Sequence, residues 1–560
     1  MSDPTLTVEA RIPDALLAAV EDRLARARAE DLAGRLARGD ATLWGPPDAP
    51  EIADRLGWLT ISERTLAELG ALELFAAEAH DAGLEDIVLL GMGGSSLAPE
   101  VLRRSFDGIK SPPSPRLHVL DSTDAARIRT IEAALDRDAV GQRRTLFIVS
   151  SKSGGTIEPL SLFAYFFSLF ENGNDFVAIT DPGSGLETLA RERGFLRTFA
   201  GDPDIGGRYS ALSAFGIVPA ALMGIDVRSL LEGAAAAWQT PLSDAAGNVT
   251  EDSWVWLGAA LSGLARTGRD KLTFVISEPL PGLGLWLEQL VAESTGKHGT
   301  GILPVADEPL GTPDSYGEDR VFAYLPDLTT PDAGLDARVQ ALADAGHPVI
   351  TMPTHGPLDL GRLFLLWELT VATAGWGLQI NPFDQPNVQQ AKDATNRVLA
   401  GYEAEHDRSE IGLPDIADAD DSALRALLAG AAPPSYVAIM AYLEPSPEFD
   451  AAAAELREAI RAATKATTTF GYGPRFLHST GQFHKGGPKT GRFLQLLHDG
   501  PEDVEIPGKS FTFTTLKNAQ AIGDLETLRT LDLPAERVRL HGDDPARALR
   551  ALTAKIKEML

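Results

Sequence analysis

The feature that most narrows the fold is an alternation of short apolar runs with segments of helical length. IVLLG (87–91), LHVLDS (117–122), LFIVSS (146–151) and FVAITD (176–181) are strand-length and nearly continuous in apolar character. Runs of this kind, joined by amphipathic stretches, predict a parallel sheet covered by helices on both faces. The pattern restarts near residue 270. LTFVIS (272–277), RVFAYL (320–325) and PVITMP (348–353) read as strands, and GLGLWLEQLVAEST and GRLFLLWELTVATAGWG as helices. Before the first run, ALLAAVEDRLARARAEDLAGRL has helical, surface-like spacing and is broken by WGPPDAP. After residue 401, EIGLPDIADADDSALRALLAGAAPP reads as a linker, followed by YVAIMAYL, an alanine-rich helix, SFTFTT, and VRLHG with a terminal helix.

A chain of 560 residues exceeds one ordinary core. The expected division is a helical segment over 1–60, an α/β domain over 61–232, a second over 233–400 and a C-terminal α/β extension over 401–560. No apolar run reaches the roughly 18 residues of a membrane span, and the N-terminus lacks the basic start and apolar block of a signal peptide. The absence of cysteine excludes disulfides, thiolate metal sites and cysteine nucleophiles. These features predict a cytoplasmic protein that does not bind membranes. The formal charge of −29 argues against general affinity for nucleic acid or anionic lipid. A chain this acidic must build a local positive site to hold a phosphate. Lys152, Lys297 and Lys392 fall in polar, glycine- or amide-rich stretches suited to that.

Two glycine- and hydroxyl-rich turns follow predicted strands: GMGGSSLAPE (91–100) and SSKSGGTIEP (150–159). Ligands gather beyond the carboxyl ends of parallel strands, and N–H groups at a helix start favour anions. A Walker loop needs lysine after its second glycine, but Lys152 precedes Gly154 and Gly155. A dinucleotide fingerprint begins at Gly91 and Gly93, but Ser96 stands at its third glycine. Plain N-capped turns would need one hydroxyl each. Ser95, Ser96, Ser151, Ser153 and Thr156 exceed that need, and one phosphate accepting several bonds explains them better.

Three further motifs accompany these turns. Asp204-Ile-Gly-Gly-Arg-Tyr-Ser-Ala-Leu-Ser213 resembles the Gly-Gly-Arg-Tyr-Ser signature of the glucose-6-phosphate isomerase family. Glu293-Ser-Thr-Gly-Lys297 is similar to that family's catalytic glutamate segment. Phe383-Asp-Gln-Pro-Asn-Val-Gln-Gln-Ala-Lys392 is similar to its late lysine signature, with Asn387 and Gln389 in place of Gly and Glu. The four motifs, in family order, span about residues 85–395. TTFGYGPRFLHSTGQFHKGGP and TLKNAQAIGDLETL resemble the isomerase half of bifunctional transaldolase/glucose-6-phosphate isomerase proteins, although a transaldolase barrel has no counterpart in these residues.

The resemblance implies an α/β protein with two sugar isomerase-type doubly wound parallel-sheet domains plus the C-terminal extension. It implies interconversion of glucose 6-phosphate and fructose 6-phosphate through ring opening and a cis-enediol, without metal or cofactor. It implies a sugar-phosphate substrate, a homodimer and a site between domains. Glu293 is then the base, four residues after Gln289 on one helix face. Arg208 stabilises the enediolate with a fork that keeps its charge. Lys392 assists ring opening, and Gln385, seven residues earlier, bonds the sugar from the same face if the segment is helical. The phosphate is expected on Gly94, Ser95, Ser151, Lys152, Ser153 and Thr156, with Glu158 orienting the loop. The family's Gly-Gln-His segment is missing between Glu293 and Lys392, where only His298, His347 and His355 stand. Its best copy is Thr480-Gly-Gln-Phe-His484, so His484 is the expected ring-opening partner, with His478 and His355 as alternatives. Two other functions are weighed: an isomerase that also accepts mannose 6-phosphate, and a sugar-phosphate-binding regulator without catalysis. The joint presence of Glu293, Arg208 and Lys392 favours an enzyme.

Overall fold

A computed structural model of the chain describes residues 6–107, 114–135, 144–243, 249–250, 252–406, 418–501 and 503–560. Its strands form three sheets. The first contains β2 (Leu84–Gly91), β3 (Arg116–Leu120), β4 (Arg144–Ser150), β5 (Phe176–Thr180) and β6 (Arg197–Ala200), all parallel in the order β3-β2-β4-β5-β6. Alternate residues of β2 enter two different cores: Ile87 and Leu89 one, Val88 and Leu90 the other. Burial on both faces is why these strands read as continuous apolar runs rather than alternating ones.

The second sheet is mixed, not purely parallel. Its order is β10-β9-β11-β12-β1-β7-β8, with β9 (Lys271–Ile276), β10 (Leu303–Val305), β11 (Arg320–Leu325) and β12 (Val349–Thr351) parallel. β1 (Val8–Arg11) pairs antiparallel with β12, and β7 (Leu242–Ser243) and β8 (Val249–Thr250) complete the edge. This corrects the expectation of a surface-like helical segment over 1–60. The helix Asp14–Ala29 forms as predicted, but Val20, Leu24 and Ala27 are buried and the helix packs on Ser253–Arg266. The short strand ahead of it offers only Val8 and Ala10 as inward residues, too little periodicity to be read as a strand.

The third sheet is parallel in the order β14-β13-β15-β16, from β13 (Tyr436–Tyr442), β14 (Thr467–Tyr472), β15 (Gly491–Leu497) and β16 (Ala535–Arg539). The stretch read as a linker contains the helix Asp421–Ala429, capped by Asp420; residues 410–417 lie outside the described residues. SFTFTT opens the helix Phe513–Thr530, because Thr512 caps it through the Thr515 N–H. No helix among the described residues is long and apolar enough to cross a membrane.

The C-terminal section is built into the rest of the molecule. Phe513, Leu516, Ala519 and Ile522 share a core with Val88, Leu90, Phe147 and Val149 of the first sheet. On its other side, Arg457 donates to the carbonyls of Ala306 (3.0 Å), Asp307 (2.7 Å) and Thr468 (2.9 Å). Arg457 is 2% exposed, so these bonds are made away from water. Replacing it with methionine keeps the aliphatic stem but strands these carbonyls. Arg457→Met is expected to destabilise the protein by about 3 kcal/mol, seen as a lower urea midpoint with unchanged secondary structure in the folded baseline.

Candidate functional site

The two glycine-rich turns follow β2 and β4, which are neighbours in the first sheet. Strand order reverses there, since β3 lies on one side of β2 and β4, β5 and β6 on the other. A reversal point opens a crevice beyond the carboxyl ends of the strands. The helix Ile157–Phe170 starts in that crevice with Thr156 as its N-cap. No side chain caps it, so its first N–H groups are available to an anion. Ser151 Oγ reaches Thr156 Oγ1 at 3.2 Å, and Ser153 Oγ accepts from the Gly155 N–H at 3.4 Å. Ser95 is buried in the neighbouring turn.

Glycine is required where that neighbouring turn meets the rest of the site. A Cβ on Gly94 would lie 2.1 Å from the Gly207 carbonyl oxygen. Gly93 has φ +54, and a Cβ there would meet the His478 carbonyl at 2.8 Å and Gln289 Nε2 at 2.9 Å. The Gly-Gly pair at 93–94 therefore lets its turn touch the segments at Gly207 and His478 through their backbones.

Arg208 follows the second pair and is 1% exposed. Nε donates to Ser294 Oγ at 2.8 Å, and one terminal nitrogen to Gln385 Oε1 at 2.8 Å and Glu293 Oε2 at 3.3 Å. The other donates to the carbonyls of Pro382 (2.6 Å) and Asp384 (2.9 Å). Glu293 stands near the end of the buried helix Leu283–Thr295. Burial pushes its carboxyl above the ordinary value, and Arg208, then His478, Gln289 and Lys297, pull it back in part. Gln289, one turn earlier, donates to the His478 carbonyl at 2.8 Å. Lys297 is wholly buried, donates to Asn381 O at 2.6 Å and pairs with Asp384 at 2.6 Å. Burial, with Arg208 nearby, brings it down to about 7.

His478 is the histidine at this place. Its Nε2 lies 2.9 Å from Oε1 of Glu158. Burial would raise the Glu158 carboxyl, but the imidazole beside it holds it below the usual range. Thr156, Glu158, Lys392, Leu477, His478 and Gln520 line one small cavity of about 100 Å³. The late lysine and the histidine thus meet at the hydroxyl-rich turn after β4.

The structure departs from the sequence reading at several residues. His484 lines a separate cavity of about 310 Å³. Its Nδ1 bonds the Tyr436 hydroxyl at 2.9 Å, and burial drives the imidazole down to about 3. A ring that stays neutral and faces another cavity is poorly placed to give a proton to this site. His355 is exposed ahead of the helix Leu360–Leu378. Lys152 Nζ pairs with Asp181 and donates to the Asp202 carbonyl at 3.0 Å, turned from the hydroxyl cluster. Gln385 and Lys392 do not share a helix face, because the helix starts at Val388 and Gln385 lies in the loop before it. Sequence reasoning gives Glu158 only a loop-orienting role, names Lys297 only among lysines suited to a local positive site, and assigns Gln520 no part in the site. For Glu158 a signal exists: it sits in the first turn of the helix that starts at the anion turn.

Comparisons with known proteins show what the chain is similar to. Residues 77–301 match the family model described as phosphoglucose isomerase. A glucose-6-phosphate isomerase of Thermus thermophilus is 32% identical over 403 residues, covering 63% of this chain and 92% of that protein. That of Rubrobacter xylanophilus is 30% identical over 438 residues, covering 69% of this chain and 97% of the relative. Among solved structures, a hypothetical protein of Thermus thermophilus superposes with a TM-score of 0.56 at 27% identity, over 70% of this chain and all of that one. A glucose-6-phosphate isomerase of Chlamydia trachomatis shares the fold with a TM-score of 0.51 at 20% identity, over 70% of this chain and 86% of its own. With near-complete coverage of relatives 30% identical or more, the chain belongs to the glucose-6-phosphate isomerase family.

Proposed function

We propose that the protein interconverts glucose 6-phosphate and fructose 6-phosphate, with Glu293 as the base that moves the proton between C2 and C1. The observation that carries this reading is the buried Glu293–Arg208 pair, joined at 3.3 Å, with Arg208 following Gly207, whose carbonyl lies against Gly94 of the glycine-rich turn after β2. The phosphate is held by Ser95, Ser151, Ser153 and Thr156 and by N–H groups at the start of Ile157–Phe170, with Gly94 leaving room. His478 and Lys392 exchange a proton with the ring oxygen and the C1 or C2 hydroxyl, which opens the hemiacetal. Glu293 then takes the C2 proton, and the electron pair becomes a cis-enediolate. Arg208 is a fixed positive charge close to that oxygen, and preorganised charge in a dry site acts more strongly than in water. The O2 proton passes to O1, Glu293 returns its proton to C1 as the C2 carbonyl forms, and the ring closes as ketose. Gln289 and Gln385 orient the sugar hydroxyls. A homodimer and a cytoplasmic place of action, which the resemblance implies, belong to the same reading.

A coupled assay on fructose 6-phosphate tests it. Wild type is expected to turn over, and Glu293→Gln to lose about 10²- to 10⁴-fold in kcat while still binding the sugar phosphate. Equal rates would remove Glu293 as base. His478→Ala is expected to slow turnover strongly and His484→Ala only weakly; the reverse order would return the ring-opening role to His484.

Base catalysis requires the Glu293 carboxylate, whose protonation is favoured by burial. The acid limb of kcat is therefore expected above the ordinary glutamate value of 4.5, with activity falling as pH drops through it. Arg208→Gln removes the largest opposing influence and should move that limb to still higher pH, measured as kcat against pH at saturating substrate.

A further inference from the structure

The C-terminal section contributes more to this crevice than His478. Gln520, in the helix Phe513–Thr530, is 2% exposed. Its Nε2 donates to Oε1 of Glu158 at 2.7 Å, the same oxygen that faces His478 Nε2. Its Oε1 accepts from the hydroxyl of buried Thr123 at 2.8 Å. These two bonds fix which way the amide points. An ionised carboxylate only accepts, so the NH₂ must face Glu158 and the carbonyl must face Thr123. With Gln520 holding one side of Glu158, His478 Nε2 is the proton-bearing nitrogen directed at the carboxylate. Nδ1 is then the nitrogen left to exchange a proton with a bound sugar.

The chain Thr123–Gln520–Glu158–His478 crosses between the first section and the C-terminal section at each link. Two ion pairs brace the same loop. Arg475 bonds both oxygens of Asp121, at 2.6 and 2.8 Å, and Lys517 bonds Asp124 at 2.8 Å. All four of these residues are at least largely buried, so the loop and the C-terminal section are held in register next to the crevice.

We propose that Gln520 is a positioning residue for ring opening, acting through Glu158 to fix the tautomer and orientation of His478. The inference rests on the ring-opening role given to His478 above. Partners of this outer kind, when removed, cost about 10- to 100-fold in activity.

The test separates ring opening from the proton transfer at C2. Turnover of fructose 6-phosphate needs both steps. A four-carbon aldose 4-phosphate has no free hydroxyl that can close a ring, so exchange of its C2 hydrogen with solvent needs only the second step. Gln520→Leu is expected to lower kcat on fructose 6-phosphate about 10- to 100-fold. Its exchange rate on the tetrose phosphate should stay within about twofold of wild type, a change of under ~0.5 kcal/mol in barrier. Equal losses on both substrates, or none on either, would overturn the proposal. If Gln520→Leu does not fold, Thr123→Val cuts the same chain at its far end and should give the same split. Thr123→Ser keeps the hydroxyl and should restore wild-type behaviour; a serine variant as slow as the valine one would count against the chain. A wild type that isomerises fructose 6-phosphate but leaves the tetrose unexchanged would also count against it, because the two steps would then not be separable. A wild type with no turnover of fructose 6-phosphate would instead remove the parent reading, and this inference with it.

Discussion

The site depends on the burial of one guanidinium. Arg208 has five N–H donors, and each finds an acceptor within the protein. Those acceptors come from the helix Leu283–Thr295 and from the loop 382–385, while Arg208 itself comes from the turn after the first sheet. A charge taken out of water this far is tolerable only when it is fully bonded. The same requirement therefore fixes three distant segments in one arrangement. The Gly-Gly pair at 93–94 serves that arrangement by letting its backbone approach Gly207 and His478 where side chains would collide. Lys297 adds a second buried cation under the 382–385 loop through Asp384 and Asn381.

The C-terminal section has a physical reason to be where it is. Its helix Phe513–Thr530 adds Phe513, Leu516, Ala519 and Ile522 to the core that the first sheet shares with its own helices Ala125–Ala134, Ile157–Phe170 and Gly185–Arg193. That packing brings Gln520 and Lys517 to the loop after β3, and the segment following β14 brings Arg475 and His478 to the same crevice. A histidine delivered from a third sheet can meet a lysine from a helix after the second because both end beyond the carboxyl edge of the first.

Much of this was legible in the sequence, for reasons that differ by residue. RVFAYL is a strand over the same residues that were read, and LFIVSS and FVAITD are each within two residues, because burial on both faces writes a continuous apolar run. Arg208 and Glu293 were legible because their motifs are local. His478 was only an alternative, since sequence order cannot tell which of two histidines six residues apart turns toward a carboxylate 320 residues away. His484 kept the better motif match, yet the helix Gly481–Gly486 turns it onto Tyr436. Lys152 sat in the right turn, but Asp181, at the end of the adjacent strand, captures it. A salt bridge between neighbouring strand ends leaves no periodic trace.

Burial alone does not make a base, as three carboxyls in this fold demonstrate. Glu288 is buried on the same helix as Glu293, and burial lifts it to about 8 against a hydrogen bond from the Ala306 N–H and the weaker pull of Arg457 and Arg475. Glu368 is buried with no opposing influence and is raised well above the ordinary range. Both are favoured as neutral acids at pH 7. Glu158 is buried as deeply, but the imidazole of His478 holds it ionised. Glu293 has both kinds of influence around it. Burial raises it, and Arg208, His478, Gln289 and Lys297 draw it back without cancelling the shift. Raising a carboxyl in this way makes it a stronger base once ionised, which favours a reversible proton carrier between two carbons. The balance comes from neighbours on three segments, and those are the segments Arg208 ties together.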